Sequence, residues 1–107
     1  MYRYLHICAN ERYDGYMEPG AALRHVQAVE TLTQKSPAEF EFSEDGHWFL
    51  VLLLNCDSHG NYASDGLLPE RINLIEVISG IENQKAPKFA AAVAERLGWR
   101  IIDVTLE

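Results

Sequence analysis

His47-Trp48-Phe49-Leu50-Val51-Leu52-Leu53-Leu54 is apolar without interruption after its histidine, whereas a strand with one wet face would alternate. Both faces of this segment therefore require cover. A bilayer crossing needs about 20 apolar residues, so the cover comes from the rest of the chain or from another protein. The segment reads as an interior strand of a sheet.

Immediately upstream, Glu39-Phe40-Glu41-Phe42 alternates acid and aromatic, and Glu44-Asp45-Gly46 carries turn chemistry. Asp-Gly between two strand-like stretches predicts an antiparallel hairpin that pairs residues 39–43 with 47–56. At the start of the chain, residues 2–9 alternate, with Leu5, Ile7 and Ala9 on one side and Tyr2, Tyr4, His6 and Cys8 on the other. Pro19 and Gly20 then open a helical stripe of Leu23, Val26, Val29 and Leu32 that is expected to run until just before Ser36 and Pro37. Residues 71–79 read as a strand apolar on both sides, closed by Gly80. Residues 83–98 read as a second helix, with Phe89, Val93 and Leu97 on its inner face and Gly98 as its C-terminal cap. Residues 99–106 read as a last strand, with Ile102, Val104 and Leu106 on one face and Ile101 and Asp103 on the other.

The order β-α-β-β-β-α-β predicts an α+β two-layer sandwich, a mostly antiparallel sheet with two helices on one face. At the level of fold this is similar to the split βαβ, ferredoxin-like plait with an added strand. A layout of that kind leaves the other sheet face open. That face would hold Tyr2, Tyr4, His6 and Cys8 and one alternate set from the apolar strand, a larger patch than monomers usually leave in water. A second copy of the chain, as a homodimer, or a different protein is expected to cover it.

The 107 residues fit one domain, 1–107. A hydrophobic share of 48% with 23% charged residues is ordinary for a water-soluble protein, and Arg3 and His6 interrupt any opening signal-peptide pattern, so a cytoplasmic location is expected. The formal net charge of −7 repels phosphate backbones and anionic lipid, which argues against nucleic acid and membrane as partners and favours a basic one. Cys8 and Cys56 lie far apart and read as buried thiols.

No motif fixes a chemistry. Asn55-Cys56-Asp57-Ser58-His59 offers a thiol, a carboxylate and an imidazole together, but it lacks the paired spacing of a zinc site, and a thiol ending a strand is more often a small buried hydrophobe than an activated nucleophile. No phosphate-binding glycine loop or calcium loop is present. Neither a cofactor nor a metal is expected. Glu76, set among Ile75 and Val77, is a candidate general base if buried, and His6 with Asp103 could join it in an acid/base or ligand site on the open face.

The two long loops point elsewhere. Residues 10–18 carry Tyr13, Asp14 and Tyr16, and residues 57–70 carry Asp57, Tyr62 and Asp65. Aromatic anchors among acids are the composition of protein interfaces, where the acids steer a basic target. These six residues are the expected partner contacts, although Tyr13 and Tyr16 could instead tuck beneath their loop. In size, acidity, single-domain form and lack of catalytic motifs the chain resembles the immunity proteins that bacteria make against their own secreted toxins. The resemblance is one of profile, and it implies a non-enzymatic inhibitor that occludes a partner toxin or enzyme. The competing expectation is a dimeric plait-type domain that binds or converts a small molecule at His6 and Glu76.

Overall fold

Asp45 and Gly46 both take positive φ, 51° and 77°, the mirror-turn geometry whose twist matches the two strands it joins. The computed structural model describes residues 1–62 and 65–105. Among these the chain runs β1 (Tyr2–Cys8), α1 (Pro19–Val29), β2 (Thr33–Ser36), β3 (Glu39–Glu44), β4 (His47–Leu54), β5 (Leu74–Gly80), α2 (Lys85–Leu97) and β6 (Arg100–Asp103). The strands form one sheet in the order β2-β3-β4-β5-β1-β6, and every neighbouring pair is antiparallel. The architecture is the expected α+β layering of a sheet against two helices.

The apolar strand β4 lies between β3 and β5, in register Phe42↔Phe49 and Phe40↔Val51 on one side and Val51↔Val77 and Leu53↔Ile75 on the other. Cross-strand partners share a face, so Phe40, Phe42, Phe49, Val51, Leu53, Ile75, Val77, Leu5 and Ile7 all meet the helices. Phe49 stacks on Phe42 and tilts against Phe89 of α2, with ring centroids 4.9 Å apart in each case. Ala86, Ala90 and Ala94 let α2 approach the sheet closely, and Ala22 and Val26 seat α1. Each fully buried Val, Leu, Ile or Phe contributes about 1.5–3 kcal/mol relative to exposure.

The start of α2 is capped from two residues upstream. The Asn83 side-chain oxygen accepts from the backbone N–H of Lys85 and Ala86 at 2.8 and 3.2 Å, while its amide donates to the Trp48 carbonyl at 2.7 Å. Gly98 ends the helix as the sequence predicts, at φ 68°.

The first helix is shorter than its hydrophobic stripe suggests. It stops at Val29, Glu30 is extended, and Thr33–Ser36 forms an edge strand on β3 where the hydrophobic spacing predicts continued helix. The Gln27 side chain receives the Leu32 N–H at 3.0 Å, so the chain turns out of the helix with its polar groups satisfied. Leu32 still reaches the core, but from beyond the helix end. The β-branched Thr31 and Thr33 favour the extended path. The strand expected over 99–106 is confined to Arg100–Asp103, and Leu106 lies outside the described residues. Ile72 stands before β5 proper and makes a lone bridge to Met17.

Candidate functional site

The face of the sheet away from the helices carries Tyr2, Tyr4, His6 and Cys8 of β1, Leu74, Glu76 and Ile78 of β5, and Trp48, Leu50, Leu52 and Leu54 of β4, as the registers His6↔Glu76, Leu52↔Glu76 and Tyr4↔Ile78 require. This face is not bare, contrary to expectation. Over one half of it the two long loops fold back and bury a second small core of Cys8, Tyr13, Leu52, Leu54, Cys56 and Leu74, with Tyr62, Ile78 and Ile102 packed against it. The cover on that half comes from the chain itself, so no second copy is needed there. The other half keeps Tyr4, Trp48 and Leu50 half-exposed and Tyr2 exposed, with Tyr2 edge-on to Trp48 at 5.9 Å.

Beneath the loops lies a polar chain of four side chains. His6 and Glu76, direct partners across β1 and β5, meet Nε2 to Oε2 at 2.6 Å, and both are buried. The Tyr62 hydroxyl donates to the other oxygen of the same carboxylate. The Tyr13 hydroxyl lies 2.8 Å from His6 Nδ1, and its ring stands edge-on to the imidazole. With the Tyr13 hydroxyl donating to Nδ1, the imidazole carries its proton on Nε2 and donates it to the Glu76 carboxylate. Burial raises the pKa of both phenols, chiefly by desolvation, and for Tyr62 the Glu76 carboxylate adds to it, so both keep the protons they donate.

The loops that hold this arrangement are pinned by Asn73, whose side chain is fully buried between Ile72 and Leu74. Its amide nitrogen donates to the carbonyls of Tyr13 and Cys56, both at 2.9 Å, and its oxygen accepts from the Cys56 N–H at 2.8 Å. One residue thus ties the first loop to the second. Tyr13 itself sits at φ 57°, and Gly60 lies against its ring so closely that a Cβ there would come within 3.0 Å of the hydroxyl. Only a left-handed glycine, here at φ 82°, allows the second loop to close over the first.

Comparison with family models, curated proteins and solved structures finds no match to this chain. What the site can do is therefore read from its geometry. The His6–Glu76 pair is internally satisfied by two tyrosines and lies buried beneath the loops. A substrate would have to displace Tyr13 or Tyr62 to reach it.

Of the six expected partner contacts, Tyr13 is only 7% exposed and serves the interior. Tyr62 is half-buried, with its hydroxyl spent on Glu76. Tyr16 is 44% exposed, with the Arg71 guanidinium 4.4 Å above its ring. Asp14, Asp57 and Asp65 are exposed. Asp57 closes its own turn by accepting the N–H groups of Asn61 and His59 at 3.0 and 2.8 Å, and these bonds lower its pKa. Asp103 does not join His6. It pairs with Leu5 and so projects to the helix side, where hydrogen bonds from Thr105 and the charge of Arg3 hold its pKa down. Arg100 bonds Glu11 at 2.6 Å.

In the Asn55 to His59 cluster, the thiol and the imidazole part company. Cys56 points into the small core and burial, reinforced by Asp57, pushes it up to about 11, whereas His59 is exposed. A thiol so disfavoured as thiolate is a packing group. Sequence reasoning missed Asn73, and its one signal was a lone amide between Ile72 and Leu74 in an otherwise apolar stretch.

Proposed function

We infer that this chain is a small acidic protein-binding protein, an inhibitor of the immunity type that blocks a basic site on a partner toxin or enzyme. The observation that carries the reading is that three of the large apolar side chains that stay wet, Tyr16 at 44%, Leu67 at 67% and Leu68 at 44% exposure, lie on the two covering loops, the others being Met1 and Tyr2 at the start of β1. The same loops present Asp14, Glu18, Asp65 and Glu70, all exposed. The groups able to do acid/base chemistry are sealed underneath. Wet apolar anchors ringed by acids suit recognition of a basic surface, and the net charge of −7 would accelerate the encounter.

A survival selection tests it. Cells expressing this chain receive a library of fragments from the same genome, and inserts that kill only in its absence encode the partner. The reading expects such inserts, with direct binding that weakens as salt rises; a saturating library that yields none rejects it.

A second reading, a ligand or catalytic site at His6 and Glu76, has one observation in its favour, the 2.6 Å contact between them. It requires the loops to open, and it predicts that Glu76→Gln abolishes the activity while leaving the loop surface irrelevant.

A further inference from the structure

A cleft of about 330 Å³ opens on the outer face where the second loop meets β3 and β4. It is lined by the apolar Leu52, Leu54, Leu67 and Leu68 and by the acids Glu39 and Asp65. Leu52 and Leu54 are each 5% exposed and Leu67 and Leu68 are open to solvent, so the cleft combines apolar surface with two acids. Each acid is fixed by one oxygen: Glu39 Oε1 accepts from the Ser36 hydroxyl at 2.8 Å, and Asp65 Oδ1 accepts from the Leu67 N–H at 3.0 Å. Among the described residues the second oxygen of each is not engaged. The second loop passes close to Glu39, since a Cβ on Gly66, next to Asp65, would lie 3.4 Å from Glu39 Oε1. Lys35, on the adjoining edge strand, is held by Glu41 at 3.7 Å.

We propose that this cleft receives an arginine side chain of the partner protein, its aliphatic stem on Leu52 and Leu54 and its guanidinium between Glu39 and Asp65. The proposal rests on the protein-binding reading and names the group it recognises. Charge complementarity decides the occupant. Two carboxylates lining one cleft with apolar side chains match a planar, weakly hydrated cation with several donors and an apolar stem, which is what separates arginine from lysine and from any neutral chain. An acidic peptide or an anionic lipid would meet both carboxylates and be repelled.

n-Butylguanidinium chloride, titrated into the ¹⁵N-labelled full chain, is the test. The expected result is saturable, millimolar binding with amide shifts centred on Leu52, Leu54, Gly66 and Leu67. n-Butylurea, its neutral analogue, should leave those amides unmoved, and the double variant Glu39→Gln with Asp65→Asn, shown to be folded by its own spectrum, should weaken binding at least tenfold. Equal shifts with the urea, shifts scattered over the acidic surface, or undiminished binding by the double variant overturn the proposal. A partner that binds the double variant as tightly as the unaltered chain would also overturn it while leaving the protein-binding reading intact. Binding of the probe here together with a failed survival selection would instead remove the partner.

Discussion

His6 and Glu76 face each other across β1 and β5, 2.6 Å from Nε2 to Oε2, each about 5% exposed or less. A pair taken this far out of water is held by its partners, because an uncompensated buried ion costs far more than the pair returns. Removing one member, as in His6→Ala, leaves the buried Glu76 carboxylate short of a donor and is therefore expected to destabilise the fold by about 1–3 kcal/mol. Replacing both, as in His6→Leu with Glu76→Leu, should cost less than the sum of the single changes. Urea unfolding of the four-member cycle measures the difference, and strict additivity would mean that the contact is not formed.

Asn73 carries three hydrogen bonds that bridge the two loops. Asn73→Ala leaves the Cys56 N–H and two carbonyls without it, at roughly 1–3 kcal/mol for each buried group left unsatisfied. Amide hydrogen exchange should then quicken across residues 10–17 and 55–62 while β4 and α2 stay protected. Uniform loss of protection throughout the chain would show that the loops are not a separable unit.

A Cβ placed on Gly15 would stand 2.3 Å from the Cβ of Ala9. Gly15→Ala is expected to cost about 1–3 kcal/mol by overpacking. Ala9→Gly in the same chain should recover most of it. If thermal midpoints of the single and double variants coincide, the two backbones are not this close.

The thiol of Cys56 is raised by burial, with Asp57 adding to it, from 9.0 to about 11. The native state favours the neutral thiol, so its contribution is fully present below pH 9 and is lost as pH rises from 9 toward 11, where the unfolded chain gives up its proton more readily. Tyr13 and Tyr62 are shifted in the same direction and extend the decline above pH 10. Denaturant midpoints taken from pH 8 to 10.5 should fall, and Cys56→Ala should flatten the early part of the curve. A slope unchanged by that substitution would place the thiol in contact with water.

Much of this fold is visible in local pattern. The unbroken run from Trp48 to Leu54 fixed an interior strand, Asp45-Gly46 fixed its hairpin, and the alternation of Tyr2 to Cys8 put His6 on the face away from Leu5 and Ile7. The short edge strand Thr33–Ser36 was hidden because Leu32 continues the helical spacing of Val26 and Val29 although the backbone has already turned. The candidate site was half legible. Glu76 and His6 stood out as ionisable groups in apolar strands, but Tyr13 meets His6 from a left-handed backbone and Asn73 holds Tyr13 across 60 residues of sequence, neither of which leaves a periodic trace. For the same reason the outer face was read as bare when two loops of the chain itself lie over it.

On the proposed function, the loop exterior binds a partner while the pair beneath it only holds the loops. Calorimetric titration of the selected partner with Asp65→Lys and with Glu76→Gln, each at a temperature where the variant is folded, compares the two directly. Asp65→Lys should lower affinity at least tenfold with little change in melting temperature, and Glu76→Gln should lower the melting temperature with affinity unchanged. The reverse, binding lost with Glu76→Gln and kept with Asp65→Lys, would contradict it.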